Sequence, residues 1–207
     1  MNLPWIGLQA VWAHFAWGVV LAACGVGVLA RKKPLSPGAT RLAVAWVVLA
    51  FVACALPGAA SPAYWLGLAF HFPSGLLVVC CAITVWNAQG VDVYRVMPAG
   101  LAALLVAAGL VLYLDSAGWF SLGLYARGFG HEAALVGLLA GLLAVLAVVF
   151  GARPGAAFAL LLSLMLFAVL RLPSGNVWDA VLDPLLWLWA LFSLLARWRA
   201  GRSRQPA

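Results

Sequence analysis

The chain has 207 residues, of which 67% are hydrophobic and only 8% are charged. Its mean hydropathy is +1.10. This composition is typical of an integral membrane protein and leaves no room for a separate soluble domain. The net charge of +7 comes from basic residues in short loops and in the C-terminal tail. No basic face interleaved with aromatic residues is present, so we expect no nucleic-acid partner and interpret the charge as a topology signal.

The apolar residues fall into about seven segments, each near the roughly 20 residues that a membrane-spanning helix needs. Proline, glycine and charged residues mark the breaks between them. No repeat of fixed period is evident. The sequence therefore predicts an all-α, polytopic transmembrane helix bundle of about seven helices. The segments are residues 5–30, 42–59, 64–88, 97–114, 129–151, 155–171 and 178–196.

The positive charges predict the orientation of this bundle. If the N-terminus lies outside, ten Lys and Arg residues are cytoplasmic and only Arg127 and Arg171 lie outside. We therefore predict a multi-pass protein of a bacterial inner membrane, with residues 197–207 as a basic cytoplasmic tail. The outer side then carries Asp115, Glu132, Asp179 and Asp183. Four tryptophans near helix ends are interpreted as interface anchors: Trp5, Trp119, Trp178 and Trp198.

Residues 70–75 form a polar interruption in the third apolar segment. Because Pro73 disfavours a helical conformation for the residue before it, we predict a helix that starts near Ser74 and follows an irregular stretch. Irregular backbone at membrane depth is tolerated only where protein or a water-filled cavity satisfies its polar groups. A serine facing such a cavity is placed where an intramembrane nucleophile is needed, although Ser and Gly are also common at helix contacts in membranes.

Three histidines fall in the outer halves of the first, third and fifth segments, near the depth of Ser74. Polar groups at this depth indicate a functional site. Ser74 with His131 is a candidate nucleophile and base pair, in which His14, His71 or the N–H of Gly75 stabilises the oxyanion. The imidazoles are also possible ligands of a metal or a haem, or partners in plain helix-to-helix hydrogen bonds.

The metal and haem alternatives have weaker support in the sequence. Neither His-x-x-x-His nor His-Glu-x-x-His spacing occurs, and Glu132 is the only other potential ligand in register with the histidines. The cysteines lie in apolar runs, where thiols usually behave as small hydrophobes. We therefore predict no metal site and no cofactor, and we assign no chemistry to Cys24, Cys54, Cys80 and Cys81.

The order of these features resembles the rhomboid family of intramembrane serine proteases, including its rhombosortase-like branch. That family carries Gly-x-Ser-Gly at the start of one helix and a histidine two helices later, in a glycine-rich helix. Residues 72–75, Phe-Pro-Ser-Gly, stand at the first place, and His131 before Gly137-x-x-x-Gly141 stands at the second. Glycines at this spacing let helix backbones approach closely, so the resemblance implies that the stripe packs the His131 helix against the Ser74 helix. An earlier family motif, a histidine followed four residues later by asparagine, corresponds to His14 and Gly18, ahead of the basic residues 31–33.

The resemblance implies a rhomboid-like core over residues 1–152, followed by two additional transmembrane helices over 153–196. It implies cleavage of a membrane-anchored protein near the outer face, with Ser74 as nucleophile and His131 as general base, in a site roofed by residues 115–130. The chain departs from the family at Phe72 and Gly18, and His131 lies one turn before the family position. The alternative is a non-catalytic rhomboid-like protein that binds a partner helix, lipid or haem in a histidine-lined pocket.

Overall fold

The computed structural model describes residues 3–30, 36–88, 97–149 and 154–202, and within these ranges the chain is helical and contains no strand. A 3₁₀ turn at Gly58–Ala60 lies between the second and third helices. The helices are α1 (Ile6–Leu29), α2 (Pro37–Cys54), α3 (Pro62–Phe70), α4 (Gly75–Asn87), α5 (Ala99–Ser116), α6 (Leu124–Arg127), α7 (Glu132–Val149), α8 (Pro154–Leu170), α9 (Val177–Val181) and α10 (Pro184–Arg202).

The prediction of an all-helical protein is confirmed, but the described residues contain ten α-helices rather than about seven. The segment predicted at 64–88 is two helices, α3 and α4, and the segment predicted at 178–196 corresponds to α9 and α10. The short helix α6 lies in a stretch predicted to be a loop. Among the described residues, three helices, α1, α2 and α5, are long and apolar enough to cross a membrane.

Helix α4 occupies the centre of the bundle. It packs against α1, α8, α9 and α10, and its first seven residues, 75–81, are all buried. The predicted start of this helix near Ser74 is confirmed, because Ser74 is its N-cap and the Ser74 side chain accepts a hydrogen bond from the Leu77 N–H at 3.1 Å. A serine hydroxyl in this position satisfies one of the backbone donors that a helix start leaves unpaired.

Two tryptophans pack onto glycines of neighbouring helices. Trp46 lies over Gly25 and donates its indole N–H to the Leu21 carbonyl at 2.9 Å. Trp187 lies over Gly109, where a Cβ atom would stand 2.2 Å from the indole ring. These contacts bring α2 onto α1 and α10 onto α5, because only a glycine leaves room for an indole against a helix backbone.

The Gly137-x-x-x-Gly141 stripe does not have the packing role that the sequence suggested. No atom of another element lies within 4 Å of a Cβ built on Gly137, and a Cβ on Gly141 meets only Leu161 of α8, at 3.8 Å. Helix α7 packs mainly against α8, and α8 in turn packs against α4. The expectation that this stripe brings the His131 helix directly onto the Ser74 helix is therefore wrong.

Candidate functional site

A cavity of about 490 Å³ lies at the end of the bundle where α5 and α8 finish and α4 and α10 begin. We call it the end cavity. Its wall comes from the segment after α3, the last turn of α5, the α6 region and the chain between α8 and α10. Aromatic side chains dominate this wall: Phe70, Phe72, Tyr113, Tyr125, Phe129 and Trp178.

Polar groups are few in the wall and mostly acidic or neutral. Two carboxylates, Asp179 and Asp183, line the cavity. Among the described residues of the wall there is no Lys and no Arg. Besides the polar tips of the tyrosines and of Trp178, the wall includes the polar side chains of His71, Ser116 and Ser174.

The α6 region is held over the cavity by buried polar anchors. The Asp115 carboxylate, at the end of α5, accepts the N–H groups of Leu122, Gly123 and Leu124 at 2.6, 3.2 and 2.7 Å. The fully buried Asn176 donates its amide to the Tyr125 carbonyl at 3.0 Å. Residues 115–130, which the sequence predicted to roof the site, thus contribute Tyr125 and Phe129 to the cavity wall.

Tyr125 and Asp179 connect this roof to α9. The Tyr125 hydroxyl donates to both Asp179 carboxylate oxygens, at 3.1 and 2.9 Å, and the Ser174 hydroxyl donates to the same carboxylate. Burial, and next the charge of Asp179, raise the pKa of Tyr125 to about 12. The phenol therefore stays protonated at physiological pH and donates a hydrogen bond to the Asp179 carboxylate without supplying a positive charge.

Asp183 connects the starts of α4 and α10. One of its carboxylate oxygens accepts the Ser74 N–H and the other accepts the Leu186 N–H, both at 2.8 Å. The Ser74 side chain also interacts with this carboxylate. Asp183 therefore caps α10 while satisfying a backbone donor in the irregular stretch before α4, and the Pro73 carbonyl in the same stretch accepts the Trp12 indole N–H at 3.2 Å.

The structure places the predicted catalytic residues in different surroundings. Ser74 has no exposed surface, whereas His131 is exposed just before α7 and is not part of the end-cavity wall. No hydrogen bond joins Ser74 to His131 among the contacts of the described residues. Gly75 is buried against the Ser163 side chain and the Ala180 carbonyl. Ser74, His131 and Gly75 as catalytic groups stay a prediction from the sequence.

The other two histidines do come together. His14 and His71 line one small cavity of about 230 Å³ between α1 and α3, and His71 also borders the end cavity. The His14 ring bonds to the Cys54 carbonyl, and the His71 ring packs edge-on against Phe72. In the described part of the chain, no three His, Cys, Asp or Glu side chains form a cluster that fits a metal ion.

An apolar crevice adjoins the end cavity. It has a volume of about 110 Å³ and is lined by α4, α5, α7, α8 and the α9 region. Leu112, Trp178 and Leu182 border both the crevice and the end cavity. Helix α5 packs on α6 and α10, whereas α7 packs on α8 and α9. The crevice lies between α5 and α7, which both contribute side chains to its wall. Its wall includes Leu101, Leu104, Leu105, Val136, Ala140 and Leu164.

Part of this site had a signal in the sequence that was missed. Pro-Ser-Gly occurs at 73–75 and again at 173–175, each time after an apolar helix. Both helices end on a residue of positive φ, His71 at 61° and Arg171 at 56°. A helix that stops in this way shortly before a proline leaves irregular backbone at the bundle end. The second copy contributes Pro173 and Ser174 to the cavity wall, and the residues just before the first copy contribute Phe70, His71 and Phe72. Trp178, interpreted as an interface anchor, also lines the cavity and donates to the Leu124 carbonyl.

Comparisons with known proteins add no family assignment. No protein-family model, no curated protein and no solved structure matches this chain. The rhomboid resemblance therefore rests on the sequence motifs alone.

Proposed function

We propose that this chain is a multi-pass membrane protein that binds a lipid-like amphiphile and does not cleave a peptide bond. The head group of the ligand occupies the end cavity, and the first part of its hydrocarbon chain lies in the apolar crevice between α5 and α7. The observation that carries this proposal is that the two spaces adjoin, since Leu112, Trp178 and Leu182 line both. A polar space that adjoins an apolar one matches the two ends of an amphiphile.

The dimensions of the cavity support this proposal. A volume of about 490 Å³ falls within the roughly 300–1,000 Å³ range of small-molecule pockets. Helix α4 has 13 residues, and at 1.5 Å per residue it covers about 20 Å of a hydrocarbon core about 30 Å thick. In a seven-span arrangement with the N-terminus outside, α4 begins below the outer membrane surface. The end cavity then lies at the level of the lipid head groups and the outer acyl carbons.

The surroundings of Ser74 favour binding over hydrolysis. A nucleophile needs a base within hydrogen-bond reach and a path for substrate. The Ser74 oxygen accepts the Leu77 N–H, its carboxylate neighbour is Asp183, and the side chain has no exposed surface. These contacts are those of a structural helix cap.

Native mass spectrometry of the full chain released from lipid nanodiscs tests the proposal. Ser116 is an exposed residue that lines the end cavity, and among the described contacts its hydroxyl bonds to the Leu112 carbonyl of its own helix. We expect the wild-type chain to retain about one lipid and Ser116→Trp to retain far less, because an indole at this position obstructs the cavity without removing a tertiary contact. Leu110→Trp places the same side chain on an exposed site of α5 and should leave retention unchanged. Equal retention by all three proteins would contradict lipid binding at this site.

A further inference from the structure

The carboxylates of the end cavity have no counter-charge among the described residues. Asp183 is 8% exposed, and both of its oxygens bond to neutral N–H groups. Within the described part of the chain, the donors to Asp179 are the hydroxyl groups of Tyr125 and Ser174. Neutral donors reduce the cost of burying a carboxyl group but supply no positive charge. Asp179 is half-buried, and its carboxylate lines the cavity without a counter-charge among the described residues. The cavity therefore offers a hydrogen-bonded carboxylate to a cationic group.

The nearby basic side chains are engaged elsewhere. Arg127 forms an ion pair with Glu132 at 3.7 Å, outside the cavity wall. The Arg171 guanidinium lies over the Phe167 ring, 5.2 Å from its centroid. Within the described ranges, no basic side chain supplies a positive charge to the end cavity.

The aromatic wall specifies which kind of cation fits. Ring faces carry a partial negative charge and attract organic cations, and several rings around one site form a cage for an ammonium group. A small metal ion is a poor match, because both Asp183 oxygens already accept hydrogen bonds and the rest of the wall is mostly apolar. An ammonium group that carries carbon substituents satisfies the charge and the apolar surface together.

We propose that the end cavity recognises an ammonium head group, so that the amphiphile bound by this protein is an amine-bearing lipid. Asp179 supplies the opposing charge, with the Asp183 carboxyl beside it in the wall, while Tyr113, Phe129 and Trp178 supply ring surface. This inference rests on the proposed lipid-binding function and assigns the chemistry of its head group.

The test uses the full chain in nanodiscs that contain phosphatidylethanolamine and phosphatidylglycerol in equal amounts with the same acyl chains. We expect native mass spectra to show phosphatidylethanolamine retained at least about fivefold over phosphatidylglycerol, as a cation–π site with a carboxylate allows. Soluble choline should displace the retained lipid. Neohexanol, in which a carbon replaces the ammonium nitrogen of choline, should not displace it at the same concentration.

Three variants separate local recognition from overall charge. Asp179→Asn and Phe129→Leu should each reduce the preference for phosphatidylethanolamine toward unity, because one removes a charge and the other removes a ring. Asn at 179 still accepts the Tyr125 hydroxyl, and circular dichroism checks the fold of each variant. Glu132→Gln removes one negative charge outside the cavity and should keep the preference.

The outcomes are distinct. Equal retention of the two lipids, together with equal displacement by choline and neohexanol, would overturn the ammonium assignment, while retention that Ser116→Trp abolishes would still support lipid binding. Choline binding that depends on Asp179 and Phe129 without any retained lipid would support ammonium recognition and contradict the lipid-binding function. An unchanged preference in both Asp179→Asn and Phe129→Leu would overturn the assignment of the site.

Discussion

Ser74 and Asp183 are joined by a hydrogen bond although 109 positions separate them in the chain. Ser74 caps α4, Asp183 caps α10, and the Ser74 N–H bonds to the Asp183 carboxylate. The helix start at Ser74 was predictable, because Pro73 followed by a serine and an uninterrupted apolar run indicates a helix start. The partner was not predictable, because nothing in either local pattern says which distant carboxylate meets an unpaired N–H.

The cap predicts how Ser74→Ala behaves. Loss of the hydroxyl leaves the buried Leu77 N–H without its acceptor, so the free energy of unfolding in detergent should fall by about 1–2 kcal/mol. Ser36→Ala removes the same kind of cap at an exposed site, where water replaces the lost bond, and should cost less. A fluorophosphonate probe should not label Ser74 in native membranes. Labelling that requires both Ser74 and His131, with unchanged stability of Ser74→Ala, would instead support the protease.

At the level of helices, hydropathy located the apolar segments but not their subdivisions. The segment predicted at 178–196 contains a break before Pro184, where Asp183 caps α10. Asp-Pro at this position is itself a helix-start signal, since proline is favoured in the first turn and aspartate at the cap. The glycines that allow close packing were not predictable from spacing, because Gly109 acquires its role only from Trp187 on a helix far along the chain.

This difference between glycines gives a paired prediction. In Gly109→Ala the new methyl group overlaps the Trp187 ring, so the free energy of unfolding should fall by about 1–3 kcal/mol. Gly137→Ala meets open space and removes a flexible residue from a helix interior, so it should be neutral or stabilising by up to about 1 kcal/mol. Thermal unfolding in detergent, followed by circular dichroism, compares the two. A larger loss for Gly137→Ala would restore the packing role suggested by the Gly137-x-x-x-Gly141 stripe.

For the whole molecule, the composition indicated a membrane protein, and the distribution of charge distinguished an acidic end of the bundle from a basic end. Asp179 and Asp183 line the end cavity, and Asp115 holds its roof in place. In the sequence these residues indicated topology. Their convergence near aromatic rings depends on how α5, α8 and α10 assemble. Local sequence patterns do not specify that assembly, whereas Ser74 and the histidines are conspicuous as polar residues within apolar segments.

The orientation of this end is the last prediction. Lys and Arg near helix ends are retained on the cytoplasmic side, and only Arg127 and Arg171 accompany the acidic end. Alkaline phosphatase, which is active only outside the cytoplasm, should therefore be active when fused after Ala60 or Ser121 and inactive after Arg153 or Arg202. Green fluorescent protein at the same four positions should give the reverse pattern, which controls for expression. An active phosphatase after Arg202 would put the end cavity on the cytoplasmic side, where an amine-bearing lipid would have to come from the inner leaflet.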